Sequence, residues 1–150
     1  MDRRLTHRRI GFALVVFPLA LWVGACDDDP VAQEPEPEVA TMRLTVGTQT
    51  ITVSDNGTVT GGPIMVTGTV TISAEFLRAD GTPDPLVTAA EFQLNADPAN
   101  TGTVTFTRTS EFAGTLTGVS AGTTEIEFSL FHKAEQHEDF GPFPVSVQVT

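Results

Sequence analysis

Tyrosine is absent from this chain, tryptophan occurs once, at Trp22, and cysteine once, at Cys26. A single cysteine cannot close an internal disulfide, so the fold must rest on its apolar core even in an oxidising compartment. With neither tyrosine nor tryptophan beyond residue 25, the exposed aromatic platforms on which carbohydrate sites commonly rely are missing from the body of the protein. Basic residues are scarce too. Arg3, Arg4, Arg8 and Arg9 crowd the N-terminus, which leaves only Arg43, Arg78, Arg108 and Lys133 against most of the 19 Asp and Glu. The formal charge is −11 over 150 residues, and everything after Ala25 is more acidic still. Such a surface repels phosphate backbones and anionic headgroups, which argues against nucleic acid and leaves neutral, basic or metallic partners. The length suits one hydrophobic core.

The first nine residues, MDRRLTHRR, are basic, and the next fourteen, IGFALVVFPLALWV, are uncharged and mostly apolar. A helix of that length spans roughly 21 Å, short of the ~30 Å hydrocarbon core, and Pro18 would kink it. The pattern is an n-region and h-region, predicting a signal peptide over residues 1–25. Val23-Gly24-Ala25 suits ordinary secretion, which would leave Cys26 as a free thiol. The stretch VGAC also resembles the lipobox of bacterial lipoproteins, in which the cysteine sulfur is alkylated with a diacylglycerol before cleavage. That resemblance implies lipidation at Cys26, attachment to the membrane through the lipid, and a location in the bacterial cell envelope after export from the cytoplasm. Two or three acyl chains, at ~0.8 kcal/mol per buried methylene, make a durable anchor. RRIGF, at residues 8–12, resembles a twin-arginine signal with its phenylalanine one place late. Asp27 resembles the enterobacterial signal for inner-membrane retention, whereas in other bacteria acidic residues there sometimes accompany surface export. Inner and outer membrane both stay open.

After the lipidated cysteine, residues 26–40 form a tether. DDDPVAQEPEPEVA carries six carboxylates and three prolines with no large aromatic. It cannot bury enough apolar surface to offset its ordering entropy and is expected to be disordered and extended.

From Thr41 to Thr150 the period is two, with threonine the commonest outward residue. In IMVTGTVTISAEF, Ile64, Val66, Val70, Ile72, Ala74 and Phe76 fall on one face, and Gly68 marks a bulge or a close contact. Similar alternation places strands at Met42 to Val46, continuing through Ile51 to Val53, and at Thr88 to Asn95, Thr103 to Arg108, Glu111 to Thr117, Thr123 to Phe131 and Phe143 to Thr150. SDNG, ADGTPDP and ADPANTG supply the turns between them. The expected fold is all-β: an antiparallel two-sheet sandwich of about seven strands, with Phe76, Phe92, Phe106, Phe112 and Phe128 in its interior.

GTVTFTRTSEFAGTLTGVSAGTTEIEFSL, followed by FPVSVQV, resembles the second half of bacterial Ig-like domains, especially the invasin and intimin type group. Gly118, Ala121, Gly122 and Thr123 carry the matching corner, and the resemblance covers roughly residues 42–150. It implies an Ig-like sandwich serving as stalk, spacer, adhesin or accessory domain.

No nucleophile motif surrounds the histidines, and no glycine-rich loop precedes a helix and a lysine, so the sequence predicts a non-enzymatic protein. The expected role is a monomeric binding or structural module of the envelope, with an envelope protein as partner and no resident cofactor. One polar stretch offers an alternative. In FHKAEQHEDF, His132, Glu135, His137, Glu138 and Asp139 fall within eight residues, a donor set suited to a divalent transition metal such as Zn²⁺, Ni²⁺ or Cu²⁺. The alternative role is then envelope metal handling, against a plain solvated loop with at most one helical turn. Asp80 and Asp84 of the DGTPD loop could offer oxygens to Ca²⁺, or simply cap a turn.

Overall fold

Threonine alternating with branched apolar residues makes a half-buried strand wherever one face has a core to cover. In the computed structural model, which describes residues 35–150, that rule is plainest in the first strands. Strand β1 (Thr41–Val46) turns Met42, Leu44 and Val46 inward, and β2 (Gln49–Ser54) does the same with Ile51 and Val53. The two are antiparallel, with Leu44 opposite Ile51. They are not one continued strand: Gly47, at φ +58°, lets the chain reverse in two residues.

The remaining strands are β3 (Val59–Thr60), β4 (Ile64–Val66), β5 (Thr69–Leu77), β6 (Phe92–Pro98), β7 (Val104–Ser110), β8 (Ala113–Gly118), β9 (Gly122–His132) and β10 (His137–Val149). They form a six-stranded sheet in the order β3-β2-β1-β5-β8-β7 and a four-stranded sheet in the order β4-β10-β9-β6. The architecture is therefore the expected all-β sandwich, with ten strands among the described residues where about seven were expected. Two of the additions, β3 and β4, are very short. The ladder between β4 and β10 is parallel, an exception to the antiparallel rule.

That exception arises inside the clearest strand of the sequence. The run from Ile64 to Phe76 is not one strand but two, broken at Thr67-Gly68, where Gly68 sits at φ +71° and the chain crosses from one sheet to the other. Both halves still face the same interior. Ile64 and Val66 come from β4, Ile72, Ala74 and Phe76 from β5, and all belong to one apolar cluster with Phe92, Leu94, Ile126, Phe128, Leu130, Val145 and Val147. Of the expected core phenylalanines, Phe76, Phe92 and Phe128 are buried, while Phe106 and Phe112 lie at the margin.

Two strand starts also differ. Thr88 to Glu91 curls into a turn, with the Thr88 carbonyl accepting from the amides of Glu91 and Phe92, so β6 begins only at Phe92. Conversely, β10 begins at His137 rather than Phe143, passing through register shifts near Phe140 on its way along β9. Gly118 shows why the corner needs glycine: a Cβ there would lie 2.6 Å from Val149 Cγ1.

The expected signal peptide, Cys26 and the tether as far as residue 34 lie outside the described residues. The last tether residues are fastened to the sandwich. Glu38 donates its amide to Asp84, Ala40 donates to the Leu77 carbonyl and accepts from Asp55, and Val39 packs on the core.

Candidate functional site

One end of the sandwich gathers the start of β1, the end of β5, the start of β6 and the β9–β10 hairpin. Hairpin geometry decides what the polar stretch at 132–139 becomes. His132 and His137 are directly opposite each other in the ladder, and Lys133 to Gln136 form the connecting turn. Gln136, at φ +60°, donates its amide to the His132 carbonyl at 2.9 Å and closes it. The stretch is thus a strand-paired hairpin rather than a plain solvated loop, its four-residue turn closed by the i to i+4 bond of a single helical turn.

Cross-strand pairing sets the two imidazoles side by side, with ring centroids 5.7 Å apart. The His132 ring continues the inward row of β9 and stacks on Phe92, with centroids 4.6 Å apart and planes 25° from parallel. Glu135, at the turn, places Oε2 3.5 Å from His132 Nδ1 and 3.5 Å from His137 Nδ1. Two residues along β10, Asp139 brings Oδ1 to 2.6 Å from His137 Nε2. That approach is close but poorly aligned, so neither Asp139 oxygen receives a directed hydrogen bond although the side chain is only 5% exposed. His132 Nδ1 is likewise buried without a hydrogen-bond partner.

The structure therefore brings His132, Glu135, His137 and Asp139 together. It leaves Glu138 out: alternation turns that side chain to the other side of β10, along a groove with Asp97, Arg108 and Glu127. It adds Glu36, from the segment leading into β1, whose carboxylate groups with His137 and Asp139. Nothing in the local pattern of the sequence could have signalled Glu36, because its neighbours in the cluster are about a hundred residues away along the chain. A cleft of about 250 Å³ opens beside the cluster, bordered by Glu36, Leu86, Glu91, Phe92, His132 and Glu135. Lys133, the nearest cation on the hairpin, is drawn off to the Ala89 carbonyl and to Glu111. The cluster is left as two imidazoles among carboxylates.

The aspartates of the DGTPD loop act as turn acceptors. Asp80 Oδ1 takes the hydroxyl and the amide of Thr82, at 2.6 and 2.9 Å, and these bonds hold its carboxyl below the usual range. Asp84 is a buried carboxylate. Burial opposes its charge, but the amides of Leu86 and Glu38 together with the Arg78 guanidinium outweigh that cost and keep its carboxyl below the usual range as well. Arg78 Nε stands 3.3 Å from Oδ2 without hydrogen-bond alignment, an electrostatic neighbour more than a donor.

Cys26, the expected lipidation site, lies outside the described residues. Among the described residues no helix is long and apolar enough to cross a membrane. No protein-family model matches the chain, and no curated protein matches it.

Proposed function

We propose that this chain is a non-enzymatic, lipid-anchored module of the bacterial cell envelope, an Ig-like sandwich held to the membrane by acyl chains on Cys26 and acting there as a binding or structural unit. The observation that carries the reading is the position of the only cysteine, directly after Gly24-Ala25 and a fourteen-residue apolar run too short to span a bilayer. Sulfur alkylation needs cysteine and no other residue. The first fastened residues of the sandwich, Glu38 to Ala40, support it further, because the acidic, proline-rich stretch before them has the composition of an extended spacer. At ~3 Å per residue, the eight residues from Asp27 to Glu34, ahead of the segment that borders the cleft, would reach roughly 24 Å from the lipid surface.

Partly occupied edges on β4 and β6 favour a monomer that receives its partner on loops or faces rather than by strand addition there. Arg108, on edge strand β7, reaches across to the Leu94 carbonyl and the side chains of Gln93 and Asn95 on edge strand β6. On the opposite side, Gln49 donates to the carbonyls of Gly61 and Pro63 and accepts from the Met65 amide of edge strand β4. Both devices occupy edge groups that another chain would need. The acidic charge favours an envelope partner that is neutral or basic.

Mass spectrometry of the mature N-terminus tests the anchor. The expected product begins at Cys26 and carries acyl chains, and Cys26→Ser abolishes the modification and releases the protein from the membrane fraction. An unmodified thiol at that terminus refutes the anchor. Affinity isolation with the tethered domain as bait then identifies the envelope partner.

A further inference from the structure

We propose that the β9–β10 hairpin is a divalent transition-metal site, with His132 Nδ1, Glu135 Oε2 and His137 Nδ1 as ligands and Asp139 as the carboxylate that orients His137. The proposal concerns the sandwich alone and is independent of how the chain is anchored.

Distance is the first argument. A tetrahedral Zn²⁺ with bonds of about 2.0–2.1 Å has ligand atoms about 3.3 Å apart. Glu135 Oε2 lies 3.5 Å from each Nδ1, close to that edge length, and ligand atoms of the three residues all fall within 4.8 Å of one another. Small side-chain rotations would bring the third edge in.

The second argument is the buried carboxylate. A carboxyl group that is 95% covered needs directed partners, and Asp139 has none. It stands 2.6 Å from the far nitrogen of His137. With the proton of that ring on Nε2, on the side of Asp139, Nδ1 presents its lone pair toward Glu135 and His132. A metal on Nδ1 would acidify that proton and favour a directed bond to the carboxylate, so each part completes the other. His132 Nδ1, buried and without a partner, gains one in the same event.

Rigidity is the third. Stacking on Phe92 fixes the His132 ring, and cross-strand pairing fixes the spacing of the two histidines. Three protein ligands leave a fourth corner, and the neighbouring cleft has room for a water or a ligand group there. Imidazole and carboxylate donors without a thiolate select Zn²⁺, Ni²⁺ or Cu²⁺ over Ca²⁺ or Mg²⁺.

The test is calorimetric titration of the purified full-length protein in detergent with Zn²⁺, with Ca²⁺ run in parallel and Co²⁺ as a spectroscopic probe. A Cys26→Ser background removes any contribution of the thiol. Expected are one Zn²⁺ per chain, a visible Co²⁺ spectrum of tetrahedral type that Zn²⁺ abolishes, and no saturable Ca²⁺ uptake. His137 is half-exposed at the turn, so His137→Ala should keep the circular dichroism spectrum while losing at least 100-fold in Zn²⁺ affinity. Glu135→Gln should weaken binding, and Glu125→Gln, near the other end of β9, should leave it unchanged. Asp139→Asn should weaken Zn²⁺ 10–100-fold with the 1:1 stoichiometry retained, the signature of a positioning residue. Absence of saturable Zn²⁺ binding, binding undiminished in His137→Ala, or full affinity in Asp139→Asn would each overturn the proposal. Loss of binding in Glu36→Gln with His132→Ala unaffected would replace this ligand set with another and overturn it too.

Discussion

Neutralising Asp84 should cost the sandwich a substantial part of its stability, and the size of the loss follows from the bonds it makes. The carboxylate is fully enclosed and accepts the Glu38 amide at 2.7 Å through Oδ2 and the Leu86 amide at 2.9 Å through Oδ1. Hydrogen bonds to a charged acceptor contribute about 1.5–3 kcal/mol each. Asn at this position can keep only one of the two, because its amide nitrogen would point a donor at a donor. The Arg78 pair adds little, since that side chain is about one-third exposed. Asp84→Asn is therefore expected to cost about 2–3 kcal/mol, and Asp84→Ala about 3–4 kcal/mol. At about 4 °C per kcal/mol for a domain of this size, the Asn variant should melt about 10 °C lower at pH 7.

The pH dependence gives a second, independent signature. The folded carboxyl of Asp84 titrates below its unfolded value, so its contribution is present above about pH 4, the unfolded value, and is lost as pH falls through the lower folded value. The gap in Tm between the native protein and Asp84→Asn should stay constant from pH 7 to about pH 5 and narrow below about pH 4. Taking the difference between the two removes the other titrating carboxylates. Thermal melts followed by circular dichroism at stepped pH supply the measurement, and hydrogen exchange at the Glu38 amide reports whether the segment before β1 detaches. A melting gap under about 2 °C at pH 7, or one that persists unchanged below pH 3, would refute the assignment of Asp84 as the charged clamp on that segment.

Other substitutions probe separate parts of the design. Phe128→Ala removes the largest fully buried side chain among the described residues and should cost about 3–5 kcal/mol, read as a shift in denaturant midpoint without change of slope. Gly118→Ala presses a methyl group onto Val149 and should cost about 1–3 kcal/mol; a neutral result would mean that the corner and the end of β10 shift apart freely. Arg108→Ala should change stability by about 1 kcal/mol or less but expose the β6 edge, so the expected readout is concentration-dependent self-association in light scattering.

Which parts of the molecule could be read from the sequence follows from what alternation reports. A period of two says which face of a strand is apolar; it does not say to which sheet the strand belongs. In a sandwich both sheets point their apolar faces at the same interior, so the chain can leave one sheet and join the other with its inside-outside pattern intact. Ile64, Val66, Ile72, Ala74 and Phe76 keep one parity through the crossing, and only Gly68 betrays it. Gly47 gives an equally small signal, since a two-residue reversal between Val46 and Gln49 barely interrupts a threonine-rich run. Both sites carry a glycine at positive φ, the one local feature that a change of direction demands of the backbone.

The hairpin fails as a strand in the sequence for the opposite reason. At the open end of the sandwich the inward positions no longer meet a full apolar core, so His132 and the residues about Asp139 occupy places that valine or leucine fill further down. Alternation survives there as geometry but not as hydropathy. The chemically important property of Asp139, a covered carboxylate with no directed partner, depends on bulges in β10 and on packing around it, neither of which a linear pattern encodes. Sequence could propose the donors His132, Glu135, His137, Glu138 and Asp139 as a set because they are close along the chain. Only the strand pairing could divide them, sending Glu138 to one side and the other four to the opposite one, and only the fastening of the segment before β1 could bring Glu36 among them. Proximity along the chain is thus a fair guide to which residues share a hairpin and a poor one to which share a face, and it is the face that determines what can be bound.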